Sequence, residues 1–137
     1  MNPAGGSSEK PTQNAEAPTV LVVEDEMLVR MGVADYLRDC GYHVVEAGSG
    51  DEAVTVLKTD ARIDVVFTDI TMPGTLNGFG LAQWVRRERP EVRVILTSGV
   101  NRTEQEARDL CAHGPLVEKP YEYGEVERHI RALLARK

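Results

Sequence analysis

Short, uninterrupted apolar runs alternate along this chain with longer stretches whose apolar residues recur at helical spacing, and no other feature constrains the fold as much. Thr19-Val20-Leu21-Val22-Val23 is a continuous, β-branched run of the kind found in strands buried on both faces of a parallel sheet. Met27 to Asp39 follows with Val29, Val33 and Leu37 on one helical face, and Gly41 stops it. Tyr42 to Ala47 reads as a second strand. Ser49 and Glu52 form a capping box that opens a helix carrying Ala53, Val54 and Leu57. Ile63 to Thr68 is a third strand, followed by a Pro-Gly turn and a helix from Gly78 to Glu88. Val92 to Thr97 is a fourth strand. Thr103 with Glu106 opens a fourth helix that ends at Gly114, Leu116 to Glu118 is a short fifth strand, and Glu122 to Arg136 closes the chain with a Val126, Ile130 and Leu133 stripe. Five strands alternating with five helices predict a doubly wound α/β fold with a parallel sheet and helices on both faces. Its ligand site is expected at the carboxyl ends of the strands.

Composition narrows the function. The 137 residues suffice for one domain. With 16 basic against 22 acidic residues the net charge is −6, so the chain lacks the basic field that nucleic-acid binding relies on. No apolar run approaches the length of a membrane span, and Met1 to Pro18 has no signal-peptide core. That stretch, rich in Pro, Gly and Ser, reads as a disordered tail at 1–18, leaving one domain at 19–137. Cys40 and Cys111 match no metal spacing and are expected as buried or half-buried thiols in a reducing cytoplasm.

The strand ends carry the chemistry. The first ends in Glu24-Asp25-Glu26, the third in Asp69, the fourth in Thr97-Ser98-Gly99 and the fifth in Glu118-Lys119-Pro120. Like charges ~4 Å apart repel by about 4 kcal/mol at an effective dielectric near 20, so convergent carboxylates call for a cation. An all-oxygen donor set suits Mg²⁺ far better than zinc. One carboxylate could then act as a nucleophile, with Lys119 and Ser98 placed to stabilise a transferred phosphoryl group.

At these residues the chain resembles the receiver domain of bacterial two-component response regulators, which implies a flavodoxin-like fold with five strands in the order 2-1-3-4-5 and five helices. The resemblance runs from Thr19 to Arg136. It rests on the acidic pair Glu24-Asp25, on Asp69 in the run Asp64-Val65-Val66-Phe67-Thr68-Asp69-Ile70-Thr71-Met72-Pro73-Gly74, on Ser98-Gly99 and on Lys119-Pro120-Tyr121. It implies that Asp69 is the phospho-acceptor and that Glu24, Asp25, Asp69 and the Thr71 backbone carbonyl hold Mg²⁺ or Mn²⁺. Ser98 would be the switch hydroxyl, Lys119 the phosphoryl contact, and the Lys119-Pro120 bond cis. Ser98 is preferred over Thr97 because it precedes the small residue Gly99 and because alternation points the two to opposite sides.

Two departures from the family pattern stand out. The turn Pro73 to Gly78 is one residue longer than usual, and Leu116 occupies a position that is usually aromatic. The resemblance implies that Thr71 and Val100 overlook the path of an attacking water; neither is suited to orient it, so a slow loss of phosphate is expected. The implied partners are a sensor histidine kinase or phosphotransfer protein and a downstream protein or second copy of the chain. Output would run through the fourth helix, fifth strand and fifth helix.

Blander readings compete residue by residue. Asp69 alone would be a turn former, Glu24 to Glu26 a solvated helix start and Lys119 a surface lysine. Their joint placement on successive strand ends favours the functional reading. His43, His113, His129 and Trp84 read as structural. A haloacid-dehalogenase-type phosphohydrolase would want an Asp where Thr71 stands, and a flavin phosphate would be repelled by Glu24 to Glu26. A protein-binding receiver that is never phosphorylated would not need Asp69, Ser98 and Lys119 together.

Overall fold

The computed structural model describes residues 17–99 and 114–136. Strands β1 (Thr19–Val23), β2 (His43–Ala47), β3 (Val65–Asp69), β4 (Arg93–Ser98) and β5 (Leu116–Glu118) form one parallel sheet in the order β2-β1-β3-β4-β5. Helices α1 (Met27–Asp39), α2 (Gly50–Leu57), α3 (Gly78–Glu88) and the C-terminal helix (Tyr123–Leu134) cover its two faces. The helix expected from Thr103, together with Val100, Cys111, His113 and nearly all of the N-terminal tail, lies outside the described residues.

Period-two alternation along each strand divides the core. Leu21, Val23, Val66, Val94 and Leu96 pack with Leu57 of α2 and Leu81 and Val85 of α3. Val20, Val22, Val65, Phe67 and Ile95 pack with Leu37 of α1 and Ile130 of the C-terminal helix. Fully burying one such side chain is worth about 1.5–3 kcal/mol, so both layers are strongly held.

Local chemistry sets the boundaries. Helix α1 ends where Gly41 adopts φ +109°, a left-handed conformation open to glycine. Cys40, at that end, is exposed, in contrast to the burial expected of it. The capping box of α2 is half formed: Ser49 accepts the Glu52 N–H at 3.1 Å, while the Glu52 carboxylate turns to the N–H of Gly48, one residue further back. Strands β3 and β4 both start and end later than the apolar runs indicate. Val92 donates its N–H to Arg89 in the turn closing α3, and Asp64 turns its carboxylate onto the Thr19 N–H at 2.8 Å. The later end makes Asp69 the last residue of a central strand, opposite Thr97.

Candidate functional site

Three elements bring acids to one spot at the carboxyl edge. Past the end of β1, the Glu24 N–H still bonds to the Ala47 carbonyl at 3.1 Å, which continues the sheet by one residue and sets Glu24 beside Asp69. Asp25 follows in the turn to α1. Ligand oxygens of Glu24, Asp25 and Asp69 all lie within 4.8 Å of one another. Glu24 (4% exposed) and Asp69 (6%) are buried, whereas Asp25 is exposed.

Lys119 enters this cluster from the end of β5. Its Nζ donates to Asp69 Oδ2 at 2.8 Å and stands 3.5 Å from Glu24 Oε1. Burial works against the ammonium, but its hydrogen bond to Asp69 and the charges of Asp69 and Glu24 hold its pKa above the usual value. Burial raises the Glu24 carboxyl above its ordinary range, and the Asp69 charge adds to this; the Glu26 N–H, bonded to Glu24 Oε2 at 3.0 Å, acts in the opposite sense. Excess negative charge in a partly buried, all-oxygen donor set is a site that a hard divalent cation such as Mg²⁺ fits.

The surroundings of Asp69 are tight. The Thr71 N–H donates to Asp69 Oδ1 at 3.2 Å, and Thr71 is exposed. At Gly78, the first residue of α3, an added Cβ would lie 2.1 Å from the Asp69 carbonyl oxygen, so only glycine lets the chain return this closely. The long turn before it is fastened away from the site: Thr75 Oγ1 donates to the Asp51 carboxylate of α2 at 2.9 Å, and Asn77 accepts the Gly80 N–H.

Ser98 closes β4 opposite Glu118 and is buried; its carbonyl accepts the Lys119 N–H at 2.8 Å. An added Cβ at Gly99 would stand 3.2 Å from Lys119 Cδ, which explains the small residue after the serine. Thr97, on the other face, is buried, with no partner for its Oγ1 among the described residues. Leu116 pairs with Leu96 and packs, half buried, on the α2–α3 side of the core. The Lys119-Pro120 bond is cis. Tyr121, whose hydroxyl burial pushes up to about 12, meets Phe67 edge to face at 5.7 Å. Pro120 and Tyr121 border a cleft of about 420 Å³ that opens beside Lys119 toward Val29 of α1. His43, His129 and Trp84 lie outside the acid cluster.

One residue at this edge escapes the sequence pattern. Arg30 donates from Nη1 to the Glu24 carbonyl at 2.9 Å and from Nε to Glu46 Oε1 at 3.2 Å. A lone arginine between Val29 and Met31 carries no local signal; its partners meet it only in three dimensions.

Acids and a lysine gathered at the carboxyl edge of a 2-1-3-4-5 parallel sheet define the architecture of a receiver. Residues 20–131 match the response regulator receiver domain, and the chain belongs to that family, a regulatory domain of two-component signalling rather than a classical enzyme. It is similar to the structure of a response regulator receiver protein from Pseudomonas putida, with 30% identity, a TM-score of 0.77, and coverage of 86% of this chain and 98% of that one. It is also similar to response regulator TrrA from Thermotoga maritima, solved in complex with Mg²⁺-BeF, at 25% identity and a TM-score of 0.73 over 85% of this chain and 98% of that one. Among curated proteins it is 33% identical over 129 residues to the sensor kinase CckA of Brucella abortus, covering 92% of this chain but only 13% of that protein's length. No described helix is long and apolar enough to cross a membrane.

Proposed function

We propose that the chain is a phospho-accepting switch in which Asp69 takes a phosphoryl group from a phosphohistidine on a sensor kinase or phosphotransfer protein. The observation that carries this reading is the buried Asp69 carboxylate with Lys119 Nζ at 2.8 Å and two further acids within metal-ligand reach. In the transfer an Asp69 oxygen attacks phosphorus, the new P–O bond forms as the P–N bond breaks, and the released imidazole nitrogen takes a proton from solvent. Lys119 offsets the charge on the phosphoryl oxygens, and the Ser98 hydroxyl donates a hydrogen bond to them. Glu24, Asp25, Asp69 and the Thr71 carbonyl would hold Mg²⁺ (or Mn²⁺), which would supply the positive charge that lets two anions meet. The TrrA complex, which pairs Mg²⁺ with a beryllium fluoride, supports the same chemistry here.

The donor protein would cover the exposed apolar side chains beside the site. Met27, Leu28 and Met31 on α1 and Tyr123 on the C-terminal helix are the exposed large hydrophobic residues among the described ones, and Met27, Leu28 and Tyr123 stand in the first turns of helices that start from this edge. Output would pass to a downstream protein or a second copy through β5, the C-terminal helix and the segment expected to be helical from Thr103. With Leu116 in place of an aromatic residue, full switching would depend on that partner. The exposed Thr71 offers one short hydroxyl to an attacking water, in keeping with slow loss of the phosphoryl group.

Incubating wild type and Asp69→Asn with Mg²⁺ and a small phosphodonor, then measuring intact mass, tests the assignment. Wild type should gain one phosphoryl group and Asp69→Asn none. Equal labelling of both, or no labelling of either, would overturn it.

A further inference from the structure

We propose that Arg30 is a positioning residue for the two neighbouring acids: its guanidinium fixes the peptide that joins Glu24 to Asp25. The inference rests on the reading of that pair as cation ligands and adds a residue that touches neither the cation nor the phosphoryl group.

The turn between β1 and α1 has few constraints of its own. Glu26, the N-cap of α1, makes no side-chain capping bond, and α1 has no acid in its first turn. At Glu24 the N–H is committed to Ala47 and carboxylate Oε2 to the Glu26 N–H. The remaining backbone group is the Glu24 carbonyl, and Arg30 Nη1 takes it at 2.9 Å. Because a peptide is planar, fixing the direction of this carbonyl also fixes the Asp25 N–H and the place of the Asp25 Cα from which its side chain starts. Without that bond the plane could rotate, and the distance between the two carboxylates would no longer be set.

Arg30 is well placed to hold the peptide rigidly. Its Nε is bound to Glu46 Oε1 at 3.2 Å, and Glu46 is braced from the other side by Arg38 Nη2, also at 3.2 Å. The Arg30 side chain is 19% exposed, so these charge-assisted bonds are only partly screened by water. Gly48 leaves room for it: a Cβ there would stand 3.3 Å from Arg30 Nη1. The planar fork serves the carboxylate and the carbonyl at once, which a lysine ammonium on a single stem does poorly. Partners that orient metal ligands typically change metal affinity about 10–100-fold when removed.

The test compares wild type, Arg30→Gln, Arg30→Lys and Arg38→Ala by backbone amide NMR. In metal-free protein the solvent-exchange rate of the Glu26 N–H and the shift of the Asp25 N–H report the turn itself; titration with Mg²⁺ alone reports affinity. Arg30→Gln should speed Glu26 exchange, shift Asp25 and weaken Mg²⁺ binding by roughly 10–100-fold. Arg30→Lys should recover only part of each, and Arg38→Ala, which loosens the brace on Glu46 but leaves the Glu24 carbonyl bonded, should change each far less than Arg30→Gln does. Unchanged exchange and affinity in both Arg30 variants would overturn the inference, as would an equal loss in Arg38→Ala. If wild type itself fails to respond to Mg²⁺, the cation reading falls, and the metal-free exchange rates still decide whether Arg30 holds the turn.

Discussion

At the amino edge of the sheet, Arg93 donates its guanidinium to the carbonyls of Leu133 at 2.7 Å and Arg136 at 3.3 Å, and the Asp64 carboxylate receives the Thr19 N–H at 2.8 Å. At the carboxyl edge, Glu24, Asp25 and Asp69 crowd one another with Lys119 between two of them. Charges of the first kind complete a helix end and a strand start, where free carbonyls and N–H groups would otherwise lack partners. Charges of the second kind face mostly each other. On the proposed reading, the contrast separates stability built into the fold from stability that waits on an added cation. Open space alone does not mark the functional edge, since a hollow of about 690 Å³ between Leu57, Trp84 and Arg89, at the amino end, holds no metal-binding group of three acids among the described residues.

The largest expected effect comes from taking away the internal cation. Lys119→Gln leaves Glu24 and Asp69 buried without their counter-charge. Removing one partner of a fully buried pair costs about 3–5 kcal/mol, and with the lysine side chain 26% exposed a cost of about 2–3 kcal/mol is expected in metal-free urea unfolding. Millimolar Mg²⁺ should restore much of this loss, more than it stabilises wild type. A loss that Mg²⁺ leaves untouched would mean that the lysine supports the fold by packing alone.

A smaller effect is expected at the other edge. Arg93→Ala removes two charge-assisted bonds to the end of the C-terminal helix and should cost about 1–2 kcal/mol. Its response to Mg²⁺ should equal that of wild type. A changed Mg²⁺ response would show that the two edges are coupled and would break the comparison.

The sequence discloses these edges unequally. The order of elements, the layers and the bounds of α1, α3 and β5 are written in the spacing of Val, Leu and Ile, because burial on two faces demands that spacing. The convergence of Glu24, Asp25, Asp69 and Lys119 is legible too, since a parallel sheet brings successive strand ends together. What stays hidden depends on partners distant in the chain. Arg30 meets Glu46 only because β2 lies beside β1, and Tyr42 finds Glu127 at 2.8 Å across 85 positions. Ile63 reads as strand because it is apolar, yet the strand begins at Val65, after Asp64 has turned its carboxylate to the Thr19 N–H. Thr97 and Ser98 are both buried hydroxyls, and alternation separates their faces without saying which one meets a ligand.

The smallest effect is the most direct test of the contrast. Glu24 has a raised pKa because of its burial and the neighbouring Asp69, so the folded state binds its proton more tightly than the unfolded chain does. Its contribution to stability is therefore fully present below the ordinary carboxylate value of 4.5 and is lost as pH rises through the raised one. At neutral pH without Mg²⁺, Glu24→Gln should then be more stable than wild type by about 1 kcal/mol, the scale of a well-screened like-charge contact. The gap should close as pH falls toward 4.5 and reverse at neutral pH when Mg²⁺ is added, because the cation has lost a ligand. Urea unfolding of the two proteins, with and without Mg²⁺ across that pH range, measures all of this at once. A Glu24→Gln protein that is less stable than wild type in metal-free neutral buffer, or equally stabilised by Mg²⁺, would contradict the view that the carboxyl edge sacrifices stability to hold a cation.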